Sequence, residues 1–353
     1  MKGQVMKHNE ETIAVVAGAA GFVGSHLVDA LLARKLRVVG IDNFQTGRFE
    51  NLSHLQHEQR FDLIDADVID APPAKLTRGS NKPRYVFNLA CAASPPHYQA
   101  NPEHTLMTSV VGTNQLLHLA EMTGARFVQA STSEVYGDPE VHPQRESYWG
   151  HVNPVGPRAC YDEGKRAAEA LTFDFLRAKR VDARVARIFN TYGPRMRADD
   201  GRVVSNVITQ ALSGDDITIY GDGEQTRSFC YVDDLVRGLI ALMMHEDEYR
   251  GAINLGNPKE IKVRELAERV ARMTGTRSTI SFRPLPVDDP RRRRPDITVA
   301  KRVLKWQPVV PLATGLIHTI EHFRAVADAA ATLPLHAASR KSQAADGNRL
   351  PAP

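Results

Sequence analysis

An apolar run, Thr12–Ala17, ends in Gly18-Ala19-Ala20-Gly21-Phe22-Val23-Gly24, after which Val23, Leu27, Val28, Leu31 and Leu32 recur at helical spacing. Strand, glycine turn and helix in that order constrain the chain to open with a parallel βαβ unit. Gly18 permits the tight turn, Gly21 lets a pyrophosphate approach the backbone, and Gly24 lets helix and strand pack closely. The helix N-terminus then aims its unpaired amides at the phosphates. A glycine-rich turn with no ligand is the competing reading. The strand before the loop and the helix after it weigh against that reading.

The alternation continues. Leu36–Ile41, closed by Asp42, then Phe61–Ile64 and Arg84–Ala90 read as strands, Pro102–Thr123 as a helix and Ala125–Ala130 as a strand. Ala159–Ala178 and Val181–Ile188 add another helix and strand. Strands separated by helices of this length predict an α/β fold, a doubly wound, Rossmann-like parallel sheet. After Asn190 prolines and glycines become frequent and the rhythm breaks. Tyr231–Met244 and Ala252–Leu255 read as a helix and strand that return to the sheet. The expected division is a cofactor domain at 12–190 and 228–256, a smaller discontinuous lobe at 191–227 and 257–329, and a disordered tail at 330–353.

The 353 residues carry 45 Lys+Arg against 41 Asp+Glu, a net charge of +4 that is too balanced to imply nucleic-acid binding. Cys91, Cys160 and Cys230 are odd in number and lack metal-ligand spacing, so a reduced, cytoplasmic setting and no metal are expected. No apolar run reaches the ~18 residues of a membrane span, and the N-terminus has no signal-peptide core.

Tyr161 and Lys165 are four apart on a predicted helix and share one face. The ammonium favours ionisation of the phenol, which can then take a proton from a sugar hydroxyl. Tyr-x-x-x-Lys alone occurs by chance in many helices. Downstream of the glycine loop and of Ser131-Thr132-Ser133-Glu134 it signals a nicotinamide-dependent enzyme. Thr132, at a strand end, can hydrogen-bond the reacting oxygen; an ordinary turn or cap is the competing reading. Asp42 ends the second strand, where a carboxylate accepts from ribose hydroxyls and repels a 2′-phosphate, so NAD is expected rather than NADP. Arg48 nearby runs against that preference. Asp67-Val68 follows the third strand and can meet the adenine; a plain loop is the alternative. Phe22, Val23, Asn43, Arg48, Leu89, Tyr161 and Lys165 complete the candidate cofactor contacts. Arg187, Asn190, Arg195, Arg227 and the Arg291–Arg294 run fall in the region expected to cover the substrate, where converging arginines suit a diphosphate. Each singly reads as a surface or structural arginine, the run as a solvated loop. His97 and Tyr98, after Pro95-Pro96, are loop candidates for reaching the substrate.

These residues resemble the extended short-chain dehydrogenase/reductase family over nearly all of Thr12–Arg324, and within it the UDP-glucuronate decarboxylases. The similar segments include Ser131-Thr132-Ser133-Glu134-Val135-Tyr136-Gly137-Asp138, Cys160-Tyr161-Asp162-Glu163-Gly164-Lys165-Arg166, Arg187-Ile188-Phe189-Asn190-Thr191-Tyr192-Gly193-Pro194-Arg195, Gln225-Thr226-Arg227-Ser228-Phe229 and Arg294-Pro295-Asp296. The resemblance implies a dehydrogenase triad of Tyr161, Lys165 and Thr132. It implies roles in decarboxylation for Glu134 and Arg293, with Ser133 beside them. Asn190 and Arg227 would face a UDP diphosphate and Tyr220 the uridine, with Arg195, Val204 and Gln225 completing the substrate contacts. It also implies a homodimer, paired through the helices at Pro102–Thr123 and Ala159–Ala178. Ser109 stands where the family usually has Asn, and Ala92 where Pro is common.

The implied reaction is NAD-dependent decarboxylation of UDP-glucuronate to UDP-xylose through a 4-keto intermediate, with no net redox change. A 4,6-dehydratase needs a general acid for the C6 hydroxyl, and Ser133 is a poor one. A 4-epimerase leaves Glu134 without a task. A non-catalytic NAD sensor or scaffold commonly lacks the Tyr or the Lys, and both are here.

Overall fold

The computed structural model describes residues 11–77, 82–246, 248–285 and 292–332. The first half builds β1 (Ile13–Ala17), α1 (Phe22–Ala33), β2 (Arg37–Asp42), β3 (Phe61–Asp65) and β4 (Tyr85–Asn88). There follow α2 (Pro95–Ala100), α3 (Pro102–Met107), α4 (Thr113–Thr123), β5 (Arg126–Thr132), α5 (Ala159–Arg177) and β6 (Ala183–Ile188). The second half adds β7 (Thr191–Tyr192), α6 (Val203–Ser213), β8 (Ile217–Tyr220), β9 (Thr226–Ser228), β10 (Cys230–Tyr231), α7 (Val232–Met244) and β11 (Ile253–Leu255). It closes with β12 (Glu260–Lys262), α8 (Val263–Thr274), β13 (Ile280–Arg283), β14 (Arg292–Arg293), α9 (Thr298–Leu304) and α10 (Leu312–Thr332).

Seven strands form one parallel sheet in the order β11-β6-β5-β4-β1-β2-β3, as the βαβ rhythm predicts. Its strands are apolar on both faces because both faces are covered. Ala14 and Val16 of β1 pack with Leu27 and Leu31 of α1 and Leu235 and Leu239 of α7. Ile13, Val15 and Ala17 face the other way, towards Leu116 and Leu117 of α4 and Phe175 of α5. The strand order reverses between β1 and β4, and the crevice beyond the strand ends at such a reversal is where α/β sheets bind ligands. Gly18, Asp42, Leu89, Thr132 and Asn190 all sit at or just past the ends of these strands.

Three expectations are corrected. Pro102–Thr123 is not one regular helix: Thr108–Gly112 is a π-turn between α3 and α4. Gly112 packs there against Val68, whose Cγ2 lies 2.6 Å from where a Cβ would stand. His97 and Tyr98 are on α2 rather than on a loop, held by Pro95 in its first turn. The C-terminal helix runs to Thr332, past the residue at which the tail was expected to begin. The remainder of that tail, 333–353, lies outside the described residues, as do Pro290 and Arg291 of the arginine run. No helix among the described residues is long and apolar enough to cross a membrane.

Candidate active site

The cleft at the switch point is walled by Gly18, Gly21, Phe22, Val23 and Gly24, by Asp42 and Asn43, and by Asp67, Val68 and Leu89. The loop is shaped by its glycines. Gly18 adopts φ +79°, and a Cβ on Gly24 would stand 1.9 Å from the Gly18 carbonyl oxygen. Any side chain at Gly24 therefore pushes α1 off β1 and opens the cradle. The Asp42 carboxylate accepts from the backbone amides of Ala20 at 2.8 Å and Phe44 at 2.9 Å, which fixes it at the cleft wall. Burial pushes its carboxyl above the ordinary range, and those two amides pull it back. Asp67 is held by Asn43 Nδ2 and His104 Nε2, each 2.7 Å from Oδ2. A bare glycine turn followed by a fixed carboxylate fits the pyrophosphate and ribose of NAD. Arg48 is not among the residues lining this cleft. Its guanidinium turns to Asp199, 3.9 Å away, so the feature that ran against NAD is directed elsewhere.

A second cavity of about 480 Å³ joins the first along Val23, Leu89 and Cys91. Its floor holds Thr132 at the end of β5 and Tyr161 and Lys165 on α5. The Tyr161 ring stacks on Tyr98, centroid to centroid 5.1 Å and 3° from parallel. Lys165 Nζ donates to the Ala130 carbonyl at 3.1 Å and lies 5.8 Å from the Tyr161 ring centre. The expected lowering of the phenol by lysine does not dominate. Burial pushes Tyr161 up, a neighbouring Cys91 adds to this, and a hydrogen bond with Thr132 opposes it. Burial also lowers the Lys165 ammonium. Ser109, the departure from the family's Asn, lies in the π-turn with its hydroxyl 3.4 Å from Cys91 Sγ.

One wall of the cavity is charged. Glu134 Oε2 accepts from Arg158 Nη2 at 3.0 Å and from Arg293 Nη2 at 3.2 Å, and Arg293 Nη1 donates to the Ser133 carbonyl at 2.7 Å. Burial pushes Glu134 up, but Arg293, Arg158 and Arg227 together hold it below the ordinary carboxylate range, so it is ionised at neutral pH. Arg293 is 1% exposed, although its run reads as a solvated loop. An arginine buried this deeply needs a partner, and Glu134 with the Ser133 carbonyl supplies it. Asn190, Val204, Tyr220, Gln225 and Arg227 line the same cavity, and Arg227 pairs with Arg293 across β9 and β14.

Two arginines go elsewhere. Arg195 lines the cofactor cleft, not the second cavity, and pairs with Asp29 at 2.8 Å. Arg187 pairs with Glu169 at 2.7 Å and lies over the Tyr136 ring, fastening β6 to α5. The structure brings in one residue that sequence reasoning left out of the site, Arg158, and gives Tyr98, a candidate for reaching the substrate, a further place as the ring stacked on Tyr161. Arg158 stands three residues before Tyr161, one helical turn away, which is the signal that points to it.

The sequence pattern of the NAD dependent epimerase/dehydratase family matches residues 14–256. The chain is 53% identical over 310 residues to UDP-glucuronic acid decarboxylase 1 of Arabidopsis thaliana, covering 88% of this chain and 69% of that protein. The UDP-glucose 4-epimerase of Thermotoga maritima, solved with UDP-glucose, superposes with a TM-score of 0.81 at 31% identity, covering 90% of this chain and all of that one (100%). The UDP-glucuronic acid 4-epimerase of Bacillus cereus, in complex with UDP-glucuronic acid and NAD, gives 0.80 at 28% identity over 89% of this chain and 100% of that one. This chain belongs to the NAD dependent epimerase/dehydratase family and, within it, to the UDP-glucuronic acid decarboxylases.

Proposed function

We propose that this enzyme converts UDP-glucuronate to UDP-xylose and carbon dioxide through a 4-keto intermediate. The observation that carries the reading is the wall of Glu134, Arg293 and Arg158 set beside the Tyr161–Lys165–Thr132 floor in one cavity. Residues 12–190 with 228–256 hold the cofactor, through Gly18, Gly21, Gly24 and Asp42. Residues 191–227 with 257–329 hold the nucleotide sugar, through Arg227 on the diphosphate and Tyr220 on the uridine, and Asn190 meets the diphosphate from the end of the cofactor domain. Bound NAD supplies reversible hydride acceptance at the sugar C4. Tyr161, as phenolate, removes the C4 hydroxyl proton, and Thr132 holds that oxygen.

Oxidation at C4 leaves a carboxylate β to a ketone. The C5–C6 bond then breaks, its electron pair moves into the C4 carbonyl, and carbon dioxide leaves. The enolate oxygen is met by the Tyr161 and Thr132 hydroxyls, donors already in place when charge develops there. The cationic guanidinium of Arg293 adds a favourable field in a buried cavity. C5 takes up a proton, and reduction of the C4 ketone ends the cycle as Tyr161 returns its proton. Ionised Glu134 is unsuited to act as the acid of a dehydratase.

Incubation with UDP-glucuronate labelled at the carboxyl carbon tests this directly. Label in carbon dioxide, an unlabelled UDP-pentose and no accumulation of free NADH are the expected results. Label retained in UDP-galacturonate makes the enzyme a 4-epimerase instead.

A homodimer joined through Pro102–Thr123, which spans α3 and α4, and through α5 is proposed alongside this, supported by Met107 on α3 and Met122 on α4, which are 39% and 56% exposed on the segment that would pair. Light scattering at micromolar concentration should return the mass of two chains; the mass of one chain refutes the pairing.

A further inference from the structure

Arg293 comes from a run, Arg291-Arg292-Arg293-Arg294, whose side chains are chemically identical, so the backbone has to choose which arginine enters the cavity. In β14 Arg292 is exposed and Arg293 buried. Successive side chains of a strand face opposite ways, so a slip of one residue would send Arg292 or Arg294 to Glu134 instead. The ladder with β9 is two residues long, Arg292 beside Thr226 and Arg293 beside Arg227. The Ser228 hydroxyl adds a bond to the Arg293 carbonyl at 3.2 Å. A polar ladder this short specifies register weakly.

A stronger hold comes from Gln144, which is 0% exposed and lines neither cavity. Its Oε1 accepts from the Arg294 amide at 2.8 Å, its own amide donates to the Arg294 carbonyl at 2.9 Å, and its carbonyl accepts from the Asp296 amide at 2.8 Å. Its Nε2 donates to the Val141 carbonyl at 2.9 Å, which fixes the direction of the side-chain amide. Pro295, between the two donating amides, has no N–H. A slip of one residue in either direction puts Pro295 where Arg294 or Asp296 must donate, and leaves a buried oxygen of Gln144 unpaired. Asn254 joins this clamp to the other half of the ion pair. Its Nδ2 donates to the Gln144 and Asp296 carbonyls, each at 3.0 Å, and its Oδ1 accepts from the Tyr136 hydroxyl at 2.8 Å. Tyr136 closes the turn, Ser133–Tyr136, that carries Glu134.

We propose that Gln144 is a positioning residue. With Pro295 it sets the register that puts Arg293, and no other arginine of the run, against Glu134. Asn254 ties that register to the turn carrying Glu134. The proposal rests on the decarboxylase reading for the step it affects, the loss of carbon dioxide.

Gln144→Met in the full chain, with NAD bound, tests this, since methionine keeps the bulk and loses the acceptor. Single turnovers of carboxyl-labelled UDP-glucuronate follow C4 oxidation as NADH absorbance and release of the label as carbon dioxide. Release should fall about tenfold or more, from a displaced guanidinium. C4 oxidation should change by less than about threefold, so NADH builds up during the turnover. On an Arg293→Ala background the same substitution should cost less than about a further twofold, because the residue it positions is gone. Gln144→Glu still accepts from the Arg294 amide and should recover most of the release. Amide hydrogen exchange over residues 292–298 should speed up at Arg294 in Gln144→Met and stay slow in Gln144→Glu. Parallel loss of both steps, full multiplication with Arg293→Ala, no recovery by glutamate, or unchanged exchange overturns the proposal. If the methionine variant does not fold, Gln144→Asn takes its place. It is one methylene shorter and does not reach the amide, so an asparagine as good as glutamate counts against the proposal. The exchange comparison needs no turnover: label kept in the sugar by the wild-type enzyme refutes the decarboxylase reading, and exchange at Arg294 then decides whether Gln144 holds the strand.

Discussion

Tyr161→Phe should lower turnover by about three orders of magnitude, the middle of the range for loss of a general base. The substitution is confined to one oxygen. The ring is 6% exposed and stacked on Tyr98, so phenylalanine keeps its packing. Lys165 keeps its bond to the Ala130 carbonyl, which does not involve the phenol. NAD and UDP affinities should therefore hold within about twofold, while single-turnover oxidation of the sugar, followed as NADH absorbance, disappears. Near-native turnover removes Tyr161 from the role of base. The buried phenol also sets the pH response. Because burial raises it, less of it is ionised near neutrality, but the phenolate that forms is a stronger base towards a sugar alcohol. Activity should rise with pH on the basic side until the phenolate form is no longer scarce.

What could be read from the sequence is what depends on near neighbours. The glycine loop, the strand ends at Asp42 and Thr132 and the Tyr161–Lys165 face are each set within a turn or two of chain, and their order along the sequence gives the parallel sheet. Arg293 was less legible because its environment comes from 159 and 160 residues away, where Glu134 and the Ser133 carbonyl wait. Composition alone places an arginine run in solvent. The same limit applied in reverse to Arg195 and Arg187, whose partners Asp29 and Glu169 turn them to other tasks. Arg158 is a different case: its spacing from Tyr161 was in view, but nothing local says that a residue one turn from a catalytic tyrosine meets a carboxylate 24 positions back. The π-turn at Thr108–Gly112 keeps helical periodicity on both sides, so only its packing against Val68 and α5 reveals it.

Removing Arg293 should be nearly as damaging as removing the base, and in a way that separates chemistry from binding. Arg293→Ala deletes a fully buried cation and leaves Glu134 with Arg158 alone on its shared oxygen. Carbon dioxide release should fall about a hundredfold or more, in line with loss of a preorganised group that acts on developing charge. UDP affinity should change by less than about threefold, because Asn190, Tyr220, Gln225 and Arg227 still line the cavity. Glu134→Gln approaches the same wall from the other side. It keeps the size and the acceptor oxygen but removes the charge that the two guanidinium groups share, so the geometry of both loosens. Its effect on carbon dioxide release should again exceed its effect on UDP binding, and the double variant should lose less than the product of the single losses, since the two residues act through one contact. Arg293→Lys guards against a folding defect: it keeps the charge and loses the two-pronged grip on Glu134 and Ser133, and should fall between wild type and alanine. If UDP affinity and carbon dioxide release drop together in all three, Arg293 shapes the substrate lobe and takes no part in breaking the C5–C6 bond.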